Sequence, residues 1–258
     1  MTSGPDPPAL HDLDPTGRFS DRAEDYRRFR PDYPAAAIAA LLRGLGDATR
    51  LVVADVGAGT GILSRALADR GVRVIAIEPN AAMRAAARPD ERVESRDATA
   101  EATGLAAGSV GLVTCAQAFH WFRPREALAE FRRVLRPGGR LAILWNSRDR
   151  RDPLTRGYTE AIRAVDGEHP AERREFDPGV VAASGAFAAP RLETFAHRQE
   201  LDLAGLIGRA TSASYVPKEG PGFAQLTELL AALFERYRDA NGRVALVYET
   251  QVWIAEPR

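Results

Sequence analysis

An apolar run, Leu51-Val52-Val53-Ala54-Asp55, feeds directly into Val56-Gly57-Ala58-Gly59-Thr60-Gly61, and a helical pattern follows with Ile62, Leu63, Ala66 and Leu67 on one face. Glycines at alternate positions let the backbone turn tightly and approach a ligand, while the helix start behind them offers unpaired N–H groups. Few architectures accept such a unit: a buried strand, a tight loop and a helix returning over the sheet. The spacing is G-x-G-x-G. A dinucleotide fingerprint, G-x-G-x-x-G, would need glycine at 62, where Ile62 stands.

The same rhythm repeats downstream. Apolar runs predict strands at Val72 to Ile77, Val93 to Asp97, Val110 to Ala116 and Arg140–Asn146. Between them, Asn80 caps a short helix Ala81–Arg88, and Leu128, Phe131 and Leu135 mark a helix between Pro124 and Arg136. Pro137-Gly138-Gly139 is read as the turn into the fifth strand. Strands alternating with helices imply an α/β fold: a doubly wound Rossmann-like sheet, mostly parallel, with helices on both faces. After Asn146 come a helix from Leu154 to Val165, an irregular insertion at 167–190, and helices at about 203–213 and 223–240. Strands at Arg191–Leu201 and Val244–Ala255 supply an antiparallel C-terminal edge.

Upstream, Ser20 or Asp21 can cap a helix that stops before Pro31, and Ala35 to Leu45 is a second helix. Proline-rich residues 1–15 are expected to be a flexible tail. Residues 16–258 are then one domain: an N-terminal lid at about 16–45, a cofactor-binding core at about 50–146 and substrate-cover insertions at about 147–243.

Charge narrows the partner. Thirty-five basic residues balance 35 acidic ones, and all the basic residues but Lys218 are arginine. This bias reads as a GC-rich bacterial genome, since a nucleic-acid surface needs excess or clustered positive charge. No apolar stretch is long enough to span a bilayer and the first 14 residues lack a signal-peptide pattern, so a cytoplasmic protein is expected, either monomer or homodimer. The single cysteine, Cys115, lies in an apolar run and reads as a buried thiol. His11, His169 and His197 have no ligand-spaced partner, so no metal site is expected.

Two acids sharpen the meaning of the loop. Glu78 closes the strand Val72–Ile77, where a carboxylate can accept both hydrogens of a ribose diol. Asp97 closes the next strand and Ala98 follows, offering an acid and an N–H to an adenine edge. The alternative is that Asp55 and Asp97 only cap turns.

On these residues the chain resembles the class I S-adenosylmethionine-dependent methyltransferases. The resemblance covers about 19–256 and rests on Asp55–Gly61, Ile77-Glu78-Pro79-Asn80, Arg96-Asp97-Ala98 and Leu135-Arg-Pro-Gly-Gly139. Within that class, the segment Phe19-Ser20…Tyr26…Arg30-Pro31…Tyr33-Pro34 and the run Ala116-Gln117-Ala118-Phe119-His120-Trp121-Phe122 resemble the small-molecule branch that includes trans-aconitate methyltransferase-like proteins. The resemblance implies S-adenosylmethionine as methyl donor and S-adenosylhomocysteine as product. It would count Asp55, Gly57, Ala58, Gly59 and Gly61 among the cofactor-binding residues. Glu78 would hold the ribose hydroxyls beside Pro79, Asp97 and Ala98 would read the adenine, and Gln117 would meet the methionine end.

Ligands of an open α/β sheet gather at the carboxyl ends of its strands. That places Trp121 and Trp145 as an aromatic wall suited to a cationic methyl donor. His120 is the candidate base, needed only where the acceptor must lose a proton; a purely structural ring is the other reading. Arg30 and Arg148 are candidates to grip an acceptor carboxylate, or else to form surface ion pairs. Tyr26 and Tyr33 either close over the cofactor or anchor their segment, and the resemblance brings Tyr215 to the substrate pocket. A methyl acceptor at carboxylate oxygen is the first choice, with heteroaromatic nitrogen or phenolic oxygen next. The competing functions are a nicotinamide-dependent oxidoreductase, disfavoured by Ile62, and a non-catalytic cofactor-binding protein.

Overall fold

A computed structural model describes residues 22–167 and 176–258. The expected cap at Ser20 or Asp21, the tail 1–15, His11 and His169 lie outside the described residues.

Seven strands form one sheet: β1 (Val52–Val56), β2 (Arg73–Ile77), β3 (Val93–Arg96), β4 (Val110–Ala116), β5 (Leu135–Arg148), β6 (Arg191–Leu201) and β7 (Val244–Ala255). Their order is β3-β2-β1-β4-β5-β7-β6. The first five run parallel, β7 lies antiparallel against β5, and β6 pairs antiparallel with β7 as the outermost strand. The chain winds outward from β1 in one direction through β2 and β3, then restarts at β4 on the other side of β1. Such a reversal opens a crevice at the carboxyl ends of the two central strands.

Strand alternation splits the core in two. Ala54, Val56, Ile75, Ile77, Val113 and Cys115 face one side, packed against Leu128 and Phe131 of α5 (Pro124–Val134). Val53, Val74, Leu112 and Ala142 face the other, against Ile38 and Leu41 of α2 (Ala35–Leu42) and Leu63 and Leu67 of α3 (Ile62–Ala68). Each such buried aliphatic side chain contributes roughly 1.5–3 kcal/mol relative to exposure. A further cluster joins α6 (Pro153–Asp166), α8 (Leu203–Thr211) and α9 (Gly220–Tyr237) to Leu201, Leu246 and Tyr248 near the paired ends of β6 and β7.

Three departures from the expected elements have local causes. Helix α5 ends at Val134, and β5 starts at Leu135, because Pro137 disfavours helical backbone at the residue before it. The Pro-Gly-Gly segment sits inside β5 as an irregularity: Leu135 pairs with Val110, then Arg140 pairs with Leu112. Gly139 permits this, since a Cβ there would come 3.0 Å from the Arg136 and Gly111 carbonyl oxygens. Helix α2 is built into the sheet core, with Leu41 fully buried, while α1 (Ala23–Phe29) sets Tyr26 beside the glycine loop. The insertion at 167–190 contains α7 (Pro178–Ala183) in its described part, and no helix among the described residues is long and apolar enough to cross a membrane.

Candidate cofactor and active site

The glycine loop is held from below and from the side. Asp55, 1% exposed at the centre of the sheet, accepts from Ser64 Oγ of α3 at 2.6 Å and from Thr114 Oγ1 of β4 at 2.9 Å. Burial pushes its carboxyl up to about 6 despite those two donations. Both its oxygens are thus engaged in fastening the loop to its neighbours. Above it, the N–H groups of Gly57 and Ala58 donate to Ile77 O at 2.9 and 3.1 Å, tying the loop to the end of β2. Gly57, Gly59 and Gly61 all take positive φ, which explains glycine at alternate positions. Gly57 also makes a close approach: a Cβ would lie 2.5 Å from Ala118 Cβ and 3.0 Å from Phe122 Cζ.

Glu78 follows β2 directly. Its Oε2 accepts the Gly59 N–H and its Oε1 the Asn80 N–H, each at 2.9 Å. Desolvation raises its carboxyl above the ordinary value, opposed by those two N–H groups. The Asn80 side chain caps α4 (Ala81–Ala86) by accepting from Met83 N at 3.0 Å, as its position predicts. Pro79 lies between these two residues. Asp97, just past β3, is exposed and receives Arg84 Nη2 at 2.8 Å, while Arg84 Nη1 donates to Glu78 O at 2.7 Å. Arg84 therefore joins the two acids the sequence singles out; its helix position four residues beyond Asn80 carries no signal of that role. Ala98 follows Asp97 and packs partly buried against the core.

On the other side of the crevice, Gln117 leaves β4 with φ of 57°, the one non-glycine with positive φ among the described residues. Its N–H donates to Leu144 O at 3.0 Å and its Nε2 to Asn146 O at 3.2 Å. That strained turn delivers the 3-10 turn Phe119–Trp121. The His120 ring packs 4.8 Å from Trp121 and 5.1 Å, edge-on, from Trp145. Trp145 itself is buried in the core on β5, so it backs His120 rather than lining an open surface.

The N-terminal segment closes this side. A Cβ at Gly59 would lie 4.0 Å from Tyr26 Cε1, which sets α1 beside the glycine loop. Arg22 Nη1 donates to the carbonyls of Thr211, Ala213 and Val216 at the end of α8, and the Phe29 ring fills the space left by Gly208. Arg30 stacks 4.6 Å over the Tyr26 ring and donates to Ser212 O at 3.2 Å. Burial drives the Tyr33 phenol well above its usual value, with Tyr26 and Asp55 among its neighbours. Arg148 is half-buried and stands 5.4 Å over Tyr158 on α6, and Tyr215 is half-buried beyond α8. His197, on β6, lies 3.2 Å from Asp32. Cys115 is buried, and burial raises its thiol far above the ordinary range.

Missing from the expected set are Tyr158 on α6, Arg209 on α8 and Tyr248 on β7, all buried. Arg209 has one sequence signal, a lone charge in the apolar helix Leu203–Thr211, but 35 basic residues in the chain mask it.

Sheet order, antiparallel β7 and the loop after β1 together define the Rossmann-like fold of the class I methyltransferases. Comparison with known proteins agrees. Residues 54–143 match the methyltransferase domain family. An uncharacterised methyltransferase of Mycobacterium tuberculosis is 41% identical over 145 residues, 56% of this chain and 58% of that protein. The match therefore spans little more than half the length of this relative. A candidate methyltransferase of Dictyostelium discoideum is 28% identical over 89% of this chain and 90% of its own. Among solved structures, a candidate type II methyltransferase from Anaeromyxobacter dehalogenans superposes with a TM-score of 0.62 at 28% identity, covering 88% of this chain and 97% of that one. The family match over 54–143 thus covers the glycine loop, the strands β2 to β4 and parts of β1 and β5.

Proposed function

We propose that the protein is an S-adenosylmethionine-dependent methyltransferase acting on a small molecule. The observation that carries this reading is Glu78, a half-buried carboxylate at the end of β2 whose bonds among the described residues are to backbone N–H groups of the adjoining loops. Each carboxylate oxygen keeps a further lone pair, enough to accept a ribose diol. The loop beside it carries no Cβ at Gly57, Gly59 and Gly61, which lets its backbone come close to a ligand as this cofactor needs.

When bound, S-adenosylmethionine supplies an electrophilic methyl group on a sulfonium sulfur. In this reading Gly57, Ala58 and Gly59 border its methionine portion together with Gln117, and Glu78 and Pro79 meet the ribose. Asp97 and Ala98 border the adenine, where the exposed Arg84–Asp97 pair leaves Asp97 oxygen lone pairs open to an amino group. Methyl transfer is an in-line displacement, so the protein's work is to align the reactants and exclude water. Tyr26, on α1 beside the loop, supplies the cover. His120 takes a proton from an acceptor that carries one, and Trp121 and Trp145 hold its ring. A carboxylate oxygen is the preferred acceptor, as in the trans-aconitate methyltransferase-like branch, with Arg148 as its cationic neighbour and Arg30 gripping another part of the substrate; nitrogen or phenolic oxygen comes next.

The deciding experiment is transfer of isotope-labelled methyl from S-adenosylmethionine into a metabolite extract, comparing wild type with Glu78→Ala by mass spectrometry. A labelled product present only with wild type supports the reading. Absence of S-adenosylhomocysteine binding to the wild type, measured by calorimetry, ends it.

A further inference from the structure

Two arginines far apart in the sequence, Arg209 buried and Arg30 half-buried, have no carboxylate partner among the described residues. Arg209, on α8, is 6% exposed, and its bond among the described residues is from Nε to the Tyr248 hydroxyl at 3.3 Å. A guanidinium has five N–H donors, so four remain on its Nη atoms. Arg30 donates one Nη2 bond to Ser212 O, while its Nε is buried with no hydrogen-bond partner. Burial, and then the neighbouring charge of Arg209, push the Arg30 guanidinium below its usual value. The Tyr158 hydroxyl, fully buried beside Arg209, also lacks a partner, and burial pushes it up to about 12, so it stays a neutral donor. Two like charges and an unused hydroxyl, one guanidinium buried and the other half-buried with its Nε shut off from water, are unfavourable together unless an anion joins them.

We infer that Arg30, Arg209 and Tyr158 bind an oxyanion of the methyl acceptor, a carboxylate or a phosphate, and that this group is a handle distinct from the atom that receives the methyl. The inference rests on the methyltransferase reading. Tyr26 links the two regions, touching the glycine loop on one side and carrying Arg30 on the other. An oxyanion held by two guanidinia has its lone pairs engaged in charge-assisted bonds, which makes it a poor nucleophile. The acceptor must therefore carry a second, reactive group that reaches past Tyr26 towards the loop.

The test is calorimetric titration of the full-length protein, with S-adenosylhomocysteine present, using tricarballylate, inorganic phosphate and, as neutral probe, glycerol. Saturable binding of one oxyanion and not of glycerol is expected, and the oxyanion that binds identifies the source. Arg209→Gln should weaken it about tenfold or more, with unchanged affinity for S-adenosylhomocysteine. Tyr158→Phe removes no existing bond of that hydroxyl, so it should keep the wild-type melting temperature and weaken the oxyanion severalfold; it decides the matter if Arg209→Gln does not fold. Failure of both oxyanions to saturate the wild type, or equal binding by the variants, overturns the inference. A labelled methyl product with no free acidic group overturns the handle. Failure of S-adenosylhomocysteine to bind is a different result: it removes the methyltransferase reading, and the oxyanion titration without it still judges the arginine pair.

Discussion

The Glu78 carboxylate reaches back from the end of β2 to accept the Gly59 N–H at 2.9 Å, so the residue placed to meet a ribose also holds the loop placed to meet the rest of the cofactor. One side chain therefore couples loop shape to ligand affinity. Glu78→Ala should weaken S-adenosylhomocysteine binding about tenfold or more, because it removes a charged acceptor and frees a loop N–H. Glu78→Gln keeps one acceptor oxygen and should lose less. Calorimetry checks both, and an unchanged dissociation constant in Glu78→Ala would refute the assignment.

Gly57 and Gly138 separate strain from collision. Both have positive φ, 68° and 74°, but a Cβ on Gly138 meets nothing within 4 Å, whereas one on Gly57 would strike Ala118 at 2.5 Å. Gly138→Ala should cost about 1 kcal/mol from backbone strain, and Gly57→Ala about 2–4 kcal/mol once the overpacking is added. Thermal unfolding of the two variants measures the difference; equal losses would mean the β4 loop yields freely.

Asp55 ties stability to pH. Its folded carboxyl titrates at about 6, above the unfolded value, so between these the folded protein holds a proton that the unfolded chain releases. The stabilisation is full below the unfolded value and is lost as pH rises through about 6, a change of order 3 kcal/mol. Asp55→Asn should flatten the melting-temperature profile across that window, though Glu78, also raised, leaves part of the slope. A profile as steep in Asp55→Asn as in wild type would assign the dependence elsewhere.

His120→Ala should slow methyl transfer while leaving S-adenosylhomocysteine affinity within about twofold, since the ring packs on Trp121 and Trp145, after β4 and on β5. Rates across pH are the readout. Full activity at every pH would make His120 a packing residue.

Much of this was legible in the linear order of residues. Period-two and uninterrupted apolar runs place the strands, and the bounds 191–201 and 244–255 are those observed, because strand burial is a local repeat. The glycine loop, Glu78 after β2, Asp97 after β3 and the Asn80 cap are likewise short-range chemistry. Other features belong to no single segment. Pro137-Gly138-Gly139 looks like a turn until Gly111 is seen beside it, and Ala35–Leu42 looks like a lid until its apolar face meets the sheet. Arg30 and Arg209 are two of many arginines until the fold buries Arg209 and half-buries Arg30 near it. A desolvation cost depends on what surrounds a charge in space, so local sequence determined the elements and the loop, and only tertiary packing decided which charged groups lie buried together.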